Sequence, residues 1–290
     1  MKRRYDTKGG FFTVKKFKVA LQLYSVRDAM ERDTDDTLAK VKAMGYDYVE
    51  PAGYYGHTAQ QFRALLDKHG LECVSVHQAY EPILENPKQM IDDLKVLGTQ
   101  FCAVPWMGVE KHAGSPAFAQ TVEDFKKVGS LLQDAGIQLL YHNHDFEFQR
   151  YNNEFLLDLL YQAVPASLLK TEVDTCWVRY AGYDPAAYLM KYAGRSPVVH
   201  LKDFFCKNFN MGPVYALIDE KGNASKPASQ EDAGFEFRPL GMGVQDFPAI
   251  LAASEEAGAD IVVVEQDASN DRPSLEAVKI SREYLQSLGL

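Results

Sequence analysis

Six times in this sequence a helical stretch closes on a glycine and an apolar run starts within a few residues. The glycines are Gly45, Gly70, Gly98, Gly136, Gly194 and Gly258, and the runs occupy residues 46–50, 71–77, 101–104, 137–144, 198–201 and 261–265. Glycine suits the left-handed position that follows a helix, so each one marks a turn from helix into strand. Two further runs, at 19–24 and 169–174, complete the series, the second introduced by Val164-Pro165 instead of glycine. Helical stretches fill the gaps at 34–44, 58–69, 87–97, 116–135, 153–163, 184–192, 244–257 and 274–287. Short aliphatic and β-branched runs of this kind read as buried parallel strands. Alternation of strand and helix implies a parallel sheet and eight strands close it, so the spacing predicts a single (β/α)8 TIM barrel over residues 17–290. An open doubly wound sheet is the rival architecture, but no G-x-G-x-x-G or P-loop follows any strand. Residues 1–16 read as an N-terminal extension, and the glycine- and charge-rich stretch 204–243 as a long loop on the rim after strand seven.

The polar ends of the runs carry the chemistry. Strand five ends in His142-Asn143-His144, strand six in Glu172-Val173-Asp174, strand seven in His200-Leu201-Lys202-Asp203 and strand eight in Glu265-Gln266-Asp267. Residues two apart on a strand face the same way, and in a barrel the carboxyl ends of the strands gather the active groups. One imidazole from strand five, Asp174, His200 and Glu265 would therefore meet, and two carboxylates with one or two imidazoles suit a divalent ion such as Mn²⁺, Co²⁺, Zn²⁺ or Mg²⁺. For a lone histidine the plain alternative is a buried ring satisfied by a carbonyl; four adjacent strands ending in ligand-type residues argue against it. Lys202 stands on the face of His200, either assisting at the reacting group or paired with Asp203 or Glu172. His77, Trp106, His144 and Trp177 are placed to line the mouth and touch a substrate. Glu50 ends strand two, with helix capping as its competing role. Arg27 and Arg179 are the cations available for a substrate phosphate.

Composition narrows the partners. The net charge of -9 and pI near 5.3 speak against nucleic acid, which needs a basic surface. No window approaches the roughly 20 apolar residues of a membrane span, and the start lacks an apolar signal core. The four cysteines, Cys73, Cys102, Cys176 and Cys206, lie far apart in apolar surroundings, which predicts reduced buried thiols and a cytoplasmic setting.

The segments Leu21-Gln22-Leu23-Tyr24-Ser25-Val26-Arg27, Tyr141-His142-Asn143-His144-Asp145-Phe146-Glu147-Phe148, Glu172-Val173-Asp174-Thr175-Cys176-Trp177, His200-Leu201-Lys202-Asp203 and Val264-Glu265-Gln266-Asp267 resemble the sugar phosphate isomerase/epimerase family of xylose-isomerase-like TIM barrels. The resemblance implies one divalent metal ion held by strands five to eight. It also implies isomerisation, epimerisation or elimination next to a carbonyl through an enediolate. Asp174, His200 and Glu265 match three of the family's ligands, while His142 stands where the ketose epimerases have a glutamate. That departure leaves His142 as the fourth ligand, Glu265 as the single candidate base with Lys202 beside it, and a closer likeness to the inosose dehydratase-like and keto-glycoside-processing subgroup. The implied partner is a small sugar or cyclitol, with homo-oligomer formation compatible. The alternatives are a metal phosphodiesterase resembling the endonuclease IV branch and a non-catalytic sugar-binding barrel.

Overall fold

The six glycines do end helices: in the structure, a computed structural model, all have φ between 64° and 93°. Acidic or hydroxyl side chains start several of the helices. Asp33 accepts the N–H of Asp36 ahead of α1 (Thr34–Ala43), and Thr58 and Gln61 form a reciprocal capping box at α2 (Ala59–His69). The described residues are 17–212, 214–215, 228–269 and 271–290, with backbone alone for Arg4–Tyr5, Phe11–Phe12 and 228–229.

The barrel strands are β1 (Lys18–Gln22), β2 (Tyr48–Glu50), β3 (Glu72–Cys73 and Val76–His77), β4 (Phe101–Val104), β5 (Gln138–His142), β6 (Leu169–Asp174), β7 (Val198–Leu201) and β8 (Ile261–Val264). All pair in parallel in the order β3-β2-β1-β8-β7-β6-β5-β4-β3, so among the described residues the sheet closes on itself as a (β/α)8 barrel. The remaining barrel helices are α3 (Pro87–Leu97), α4 (Phe118–Asp134), α5 (Leu156–Ala163), α6 (Pro185–Lys191), α7 (Phe247–Glu256) and α8 (Ser274–Ser287). A small apolar plug of Ala20, Val74, Ala103, Leu140, Val198, Ile261 and Val263 fills the inside, and a much larger apolar shell lies between strands and helices.

Closure at β3 has one irregularity. Its two segments bond to different neighbours, the first to β2 and the second to β4. The N–H groups of Glu72 and Val74 reach the carbonyls of Asp47 and Val49, but the next bond to that side runs from His77 to Pro51. Three residues on β3 thus answer two on β2, which is a bulge at Ser75–Val76. The face changes across it: Val74 belongs to the inner plug, Val76 to the outer shell, and His77 to the barrel interior.

Two sequence expectations fall partly outside the described residues. Of the extension at 1–16, two short antiparallel backbone strands are described, Arg4–Tyr5 and Phe11–Phe12. Of the rim loop at 204–243, residues 213 and 216–227 are not. Its flanks are more regular than expected: Asp203–Phe205 pairs antiparallel with Glu236–Arg238, and Ala228–Ala233 is helical. Asp203 closes the base of this hairpin by accepting N–H bonds from Phe204, Gly241, Gly243 and Gln245. The four cysteines are buried and unpaired, as expected. Among the described residues no helix is long and apolar enough to cross a membrane.

Candidate active site

The register of β5 to β8 brings their polar ends to one buried centre. Glu172 lies beside His142, and Asp174 beside His200. Because side chains alternate along a strand, the residues just beyond β7 and β8, Lys202 and Glu265 with Asp267, project to the same place. The ligand-type atoms of His142, Asp174, His200 and Glu265 all lie within 4.8 Å of one another, and all four residues are buried. Glu265 Oε2 is 2.9 Å from His200 Nδ1, and Asp174 Oδ2 is 3.6 Å from His142 Nε2. Asp174 Oδ2 accepts no aligned hydrogen bond. Two imidazole nitrogens and two carboxylate oxygens with spare acceptor capacity fit a divalent cation. Of the two strand-five histidines, His142 is the one that joins this group. His144, beyond the strand end, packs its ring 4.0 Å from that of Tyr215 and faces the pocket.

Lys202 is also fully buried, and its partners differ from those expected. Its Nζ lies 2.8 Å from Asp174, 2.9 Å from Glu265 and 3.0 Å from Asp267, not against Asp203 or Glu172. The reason is that Asp203 faces the other way, into the rim hairpin, while Glu172 is taken by histidines. Burial opposes the ammonium form, but the carboxylates of Asp174, Asp267 and Glu265 hold the Lys202 pKa well above its ordinary range. Burial likewise opposes ionised Glu265, and Lys202 with His200 more than reverses this, holding its pKa well below normal. Asp267 goes the other way, pushed up to about 7 by burial despite Lys202.

Glu50, read above as a strand-end rim residue with helix capping as its competing role, is part of the centre. Gln22 Nε2 donates to its Oε2 at 2.9 Å, and the same oxygen is 2.8 Å from His200 Nε2. His77 Nε2 contacts Glu172 Oε2 at 2.7 Å. Burial opposes the imidazolium forms, yet Glu50 and Glu172 raise the pKa of His77, and the same two carboxylates raise that of His200 well above normal. Burial and neighbouring His200 lower that of His142. Sequence reasoning gave Glu172 only a candidate ion pair with Lys202 and left Glu50 undecided; the signal was available in their strand-end positions, in phase with the other inward residues.

Over this centre lies a cavity of about 340 Å³. Tyr24, Trp106, His144 and Tyr215 contribute to its walls, while His77, His142 and Glu265 reach it from the centre. Of the residues expected to touch a substrate, His77, Trp106 and His144 line the cavity and Trp177 does not. The Trp177 indole is fully buried, stacked on Phe235 at 5.5 Å and edge-on to Phe237 at 5.8 Å, because the rim hairpin folds back over it. Phe235 and Phe237 are therefore occupied with Trp177, and Arg238 pairs with Glu236 and Asp271. From the rim segment it is Tyr215 that reaches the cavity, anchored where the N–H groups of Val214 and Tyr215 donate to Asp145 Oδ2. No Lys or Arg among the described residues lines the cavity: Arg27 is held by the carbonyls of Tyr24 and Asp267, and Arg179 lies over Phe209.

The model of the xylose isomerase-like TIM barrel family matches residues 38–288. An inosose dehydratase from Geobacillus kaustophilus is 25% identical over 279 residues, spanning 88% of this chain and 87% of that protein. A sugar phosphate isomerase/epimerase structure from Parabacteroides distasonis superposes with a TM-score of 0.73 at 22% identity, covering 93% of this chain and 98% of that one. The probable 3-DHS dehydratase involved in petrobactin synthesis from Bacillus anthracis gives a TM-score of 0.68 at 14% identity, with coverage of 93% and 98%. These last two are likenesses of fold.

Proposed function

The chain belongs to the xylose isomerase-like TIM barrel family, and from that premise we propose that it is a divalent-metal-dependent enzyme moving a proton next to a carbonyl of an uncharged sugar or cyclitol, as a lyase or an isomerase/epimerase. The observation that carries this is the charge of the centre. Five buried carboxylates, Glu50, Glu172, Asp174, Glu265 and Asp267, face one ammonium, Lys202. Even with His77 and His200 as imidazolium ions, one negative charge remains when Asp267, with its pKa at about 7, is protonated and two when it is ionised, and such buried charge calls for a counter-ion. His142, Asp174, His200 and Glu265 would hold the ion. When bound, it would polarise a carbonyl and offset the negative charge that develops on proton loss.

The chain's own residues do the rest. Glu265 reaches both the cavity and the ligand group, and its ionised carboxylate is the base for a carbon-bound proton. Lys202, whose ammonium form is favoured by three carboxylates and which lies 2.9 Å from Glu265, sets a positive charge behind the base, where it favours negative charge developing on the substrate. Trp106 and Tyr215 supply flat apolar walls for the C–H face of a ring. The absence of a cationic wall among the described residues disfavours a phosphorylated substrate and equally a phosphodiester. An inosose dehydratase among the relatives supports elimination from a cyclitol as the leading reaction.

The test is metal analysis of the purified protein combined with solvent-deuterium incorporation into a panel of ketoses, inososes and 3-keto-glycosides. Bound Mn²⁺, Co²⁺ or Zn²⁺ lost in Asp174→Asn, with exchange at the carbon beside a carbonyl, is the expected result. No metal and no exchange on any of them would reject the proposal.

A further inference from the structure

Glu50 and Glu172 take no direct part in the proton transfer just described, yet they are fully buried. Glu50 faces His200, while Glu172 faces both imidazole ligands, at 3.3 Å from His142 Nδ1 and 3.4 Å from His200 Nε2. His200 Nε2 is 2.8 Å from Glu50 Oε2, while its Nδ1 is 2.9 Å from Glu265 Oε2. His142 Nδ1 is 3.3 Å from Glu172 Oε2, while its Nε2 is 3.6 Å from Asp174 Oδ2. Each ring thus stands between a carboxylate of the ligand group and one outside it. A neutral imidazole has one N–H and one lone pair, so whichever side keeps the proton decides which side can bind a cation. His142 Nδ1 and His200 Nε2 have no straight hydrogen-bond partner. The outer carboxylates therefore act chiefly as negative charges that favour an N–H on their side. They are themselves oriented from behind, Glu50 by Gln22 and Glu172 by His77.

His77, His142, Glu172 and His200 also have the spacing of a ligand set. An ion there would need the lone pairs of the same two rings, and both sites could fill only if both rings lost both protons. A role in orienting the rings asks for no such step.

We infer that Glu50 and Glu172 are positioning residues that keep the ring proton of His200 on Nε2 and that of His142 on Nδ1, turning both lone pairs toward Asp174 and Glu265. The purpose of this arrangement rests on the metal reading given above. Carboxylates behind imidazole ligands fix ring orientation and raise basicity, and their loss costs about 10- to 100-fold in metal affinity.

The experiment uses the full chain labelled with ¹⁵N at histidine. In the metal-free protein the ¹⁵N shifts should give the Nδ1–H tautomer for His142; after Zn²⁺ loading His200 should retain Nε2–H. In Co²⁺ titrations followed by visible absorption, Glu50→Gln and Glu172→Gln should each weaken binding about 10- to 100-fold at an unchanged single ion per chain. Glu50→Asp and Glu172→Asp, which keep the charge, should recover most of that loss and also serve where a Gln variant fails to fold. An Nε2–H tautomer at His142 overturns the inference, as does unchanged Co²⁺ affinity in both Gln variants when Asp174→Asn abolishes binding. Two Co²⁺ per chain, one lost in Glu172→Gln, would overturn it by giving the outer group an ion of its own. A wild-type protein that takes up no Co²⁺ would sink the metal reading instead, and the His142 tautomer would still decide this one.

Discussion

Replacing Lys202 with methionine removes one cation and little volume from the most charged part of the molecule. The ammonium touches Asp174, Glu265 and Asp267 at 2.8–3.0 Å and is fully buried. Breaking a buried ion pair by deleting one partner costs about 3–5 kcal/mol, because the remaining charge is left uncompensated. At about 2.1 cal/mol/K per residue the unfolding entropy of a 290-residue chain is about 0.6 kcal/mol/K, so Tm should fall by roughly 5–8 °C. The assay is differential scanning calorimetry of wild type and Lys202→Met after EDTA treatment, at mildly alkaline pH where Asp267, with its pKa at about 7, is ionised. Adding millimolar Mn²⁺ should then narrow the gap between the two proteins, since a dication held by Asp174 and Glu265 supplies the missing positive charge and stabilises by mass action. Equal melting temperatures without metal would refute the electrostatic argument. A gap that Mn²⁺ leaves unchanged would refute the claim that the ion and the lysine answer the same charge.

Three further outcomes are expected. Glu265→Gln should slow solvent-deuterium exchange into a substrate by about 10²- to 10⁴-fold while still binding some Co²⁺; exchange at the wild-type rate would move the base role to Lys202 or His144. Tyr215→Ala, which removes an aromatic wall of the cavity, should raise KM by about 2- to 10-fold with the melting temperature little changed, and an unchanged KM would remove the rim segment from substrate binding. Burial raises the Glu147 pKa from 4.5 to about 8 even though Tyr141 Oη and the His144 N–H donate to it. The neutral carboxyl therefore contributes stability that is fully present below about pH 4.5 and is lost as pH rises to about 8, by up to roughly 5 kcal/mol. Denaturant unfolding of Glu147→Gln across that range should lose most of the downward slope, and an identical slope would show that other groups set it.

The barrel was legible because its signals are local. Gly70 or Gly98 ends a helix by its own backbone freedom, and the apolar runs that follow are long enough to be strands. The group of His142, Asp174, His200 and Glu265 was legible for a related reason, since parity along a strand fixes which residues face inward once the barrel is assumed. What could not be read is set by contacts between distant segments. Trp177 ends a motif at a strand mouth, yet its exposure depends on where Phe235 lands, some sixty residues later, and that depends on a hairpin held by Asp203. The partners of Lys202 depend on which of Asp203 and Asp267 turns inward, and both are acidic residues beside a strand end. Glu50 reaches the centre from β2, outside the set of strands that the ligand pattern singled out.

The bulge in β3 makes the pairing of that strand, and not only its letters, a determinant of the chemistry. Counting in strict alternation from Val74 would place Val76 inside and His77 outside; the extra residue at Ser75–Val76 reverses this and delivers an imidazole to Glu172. Deleting Ser75 would remove the bulge and leave His77 facing Glu172 by plain alternation, whereas keeping every residue and pairing the strand without a bulge would exchange the histidine for Val76 at the centre and strip Glu172 of its aligned donor. The centre owes one of its imidazoles to how this strand pairs, so a chain with the same letters and the same count, but paired without the bulge, would present a different site.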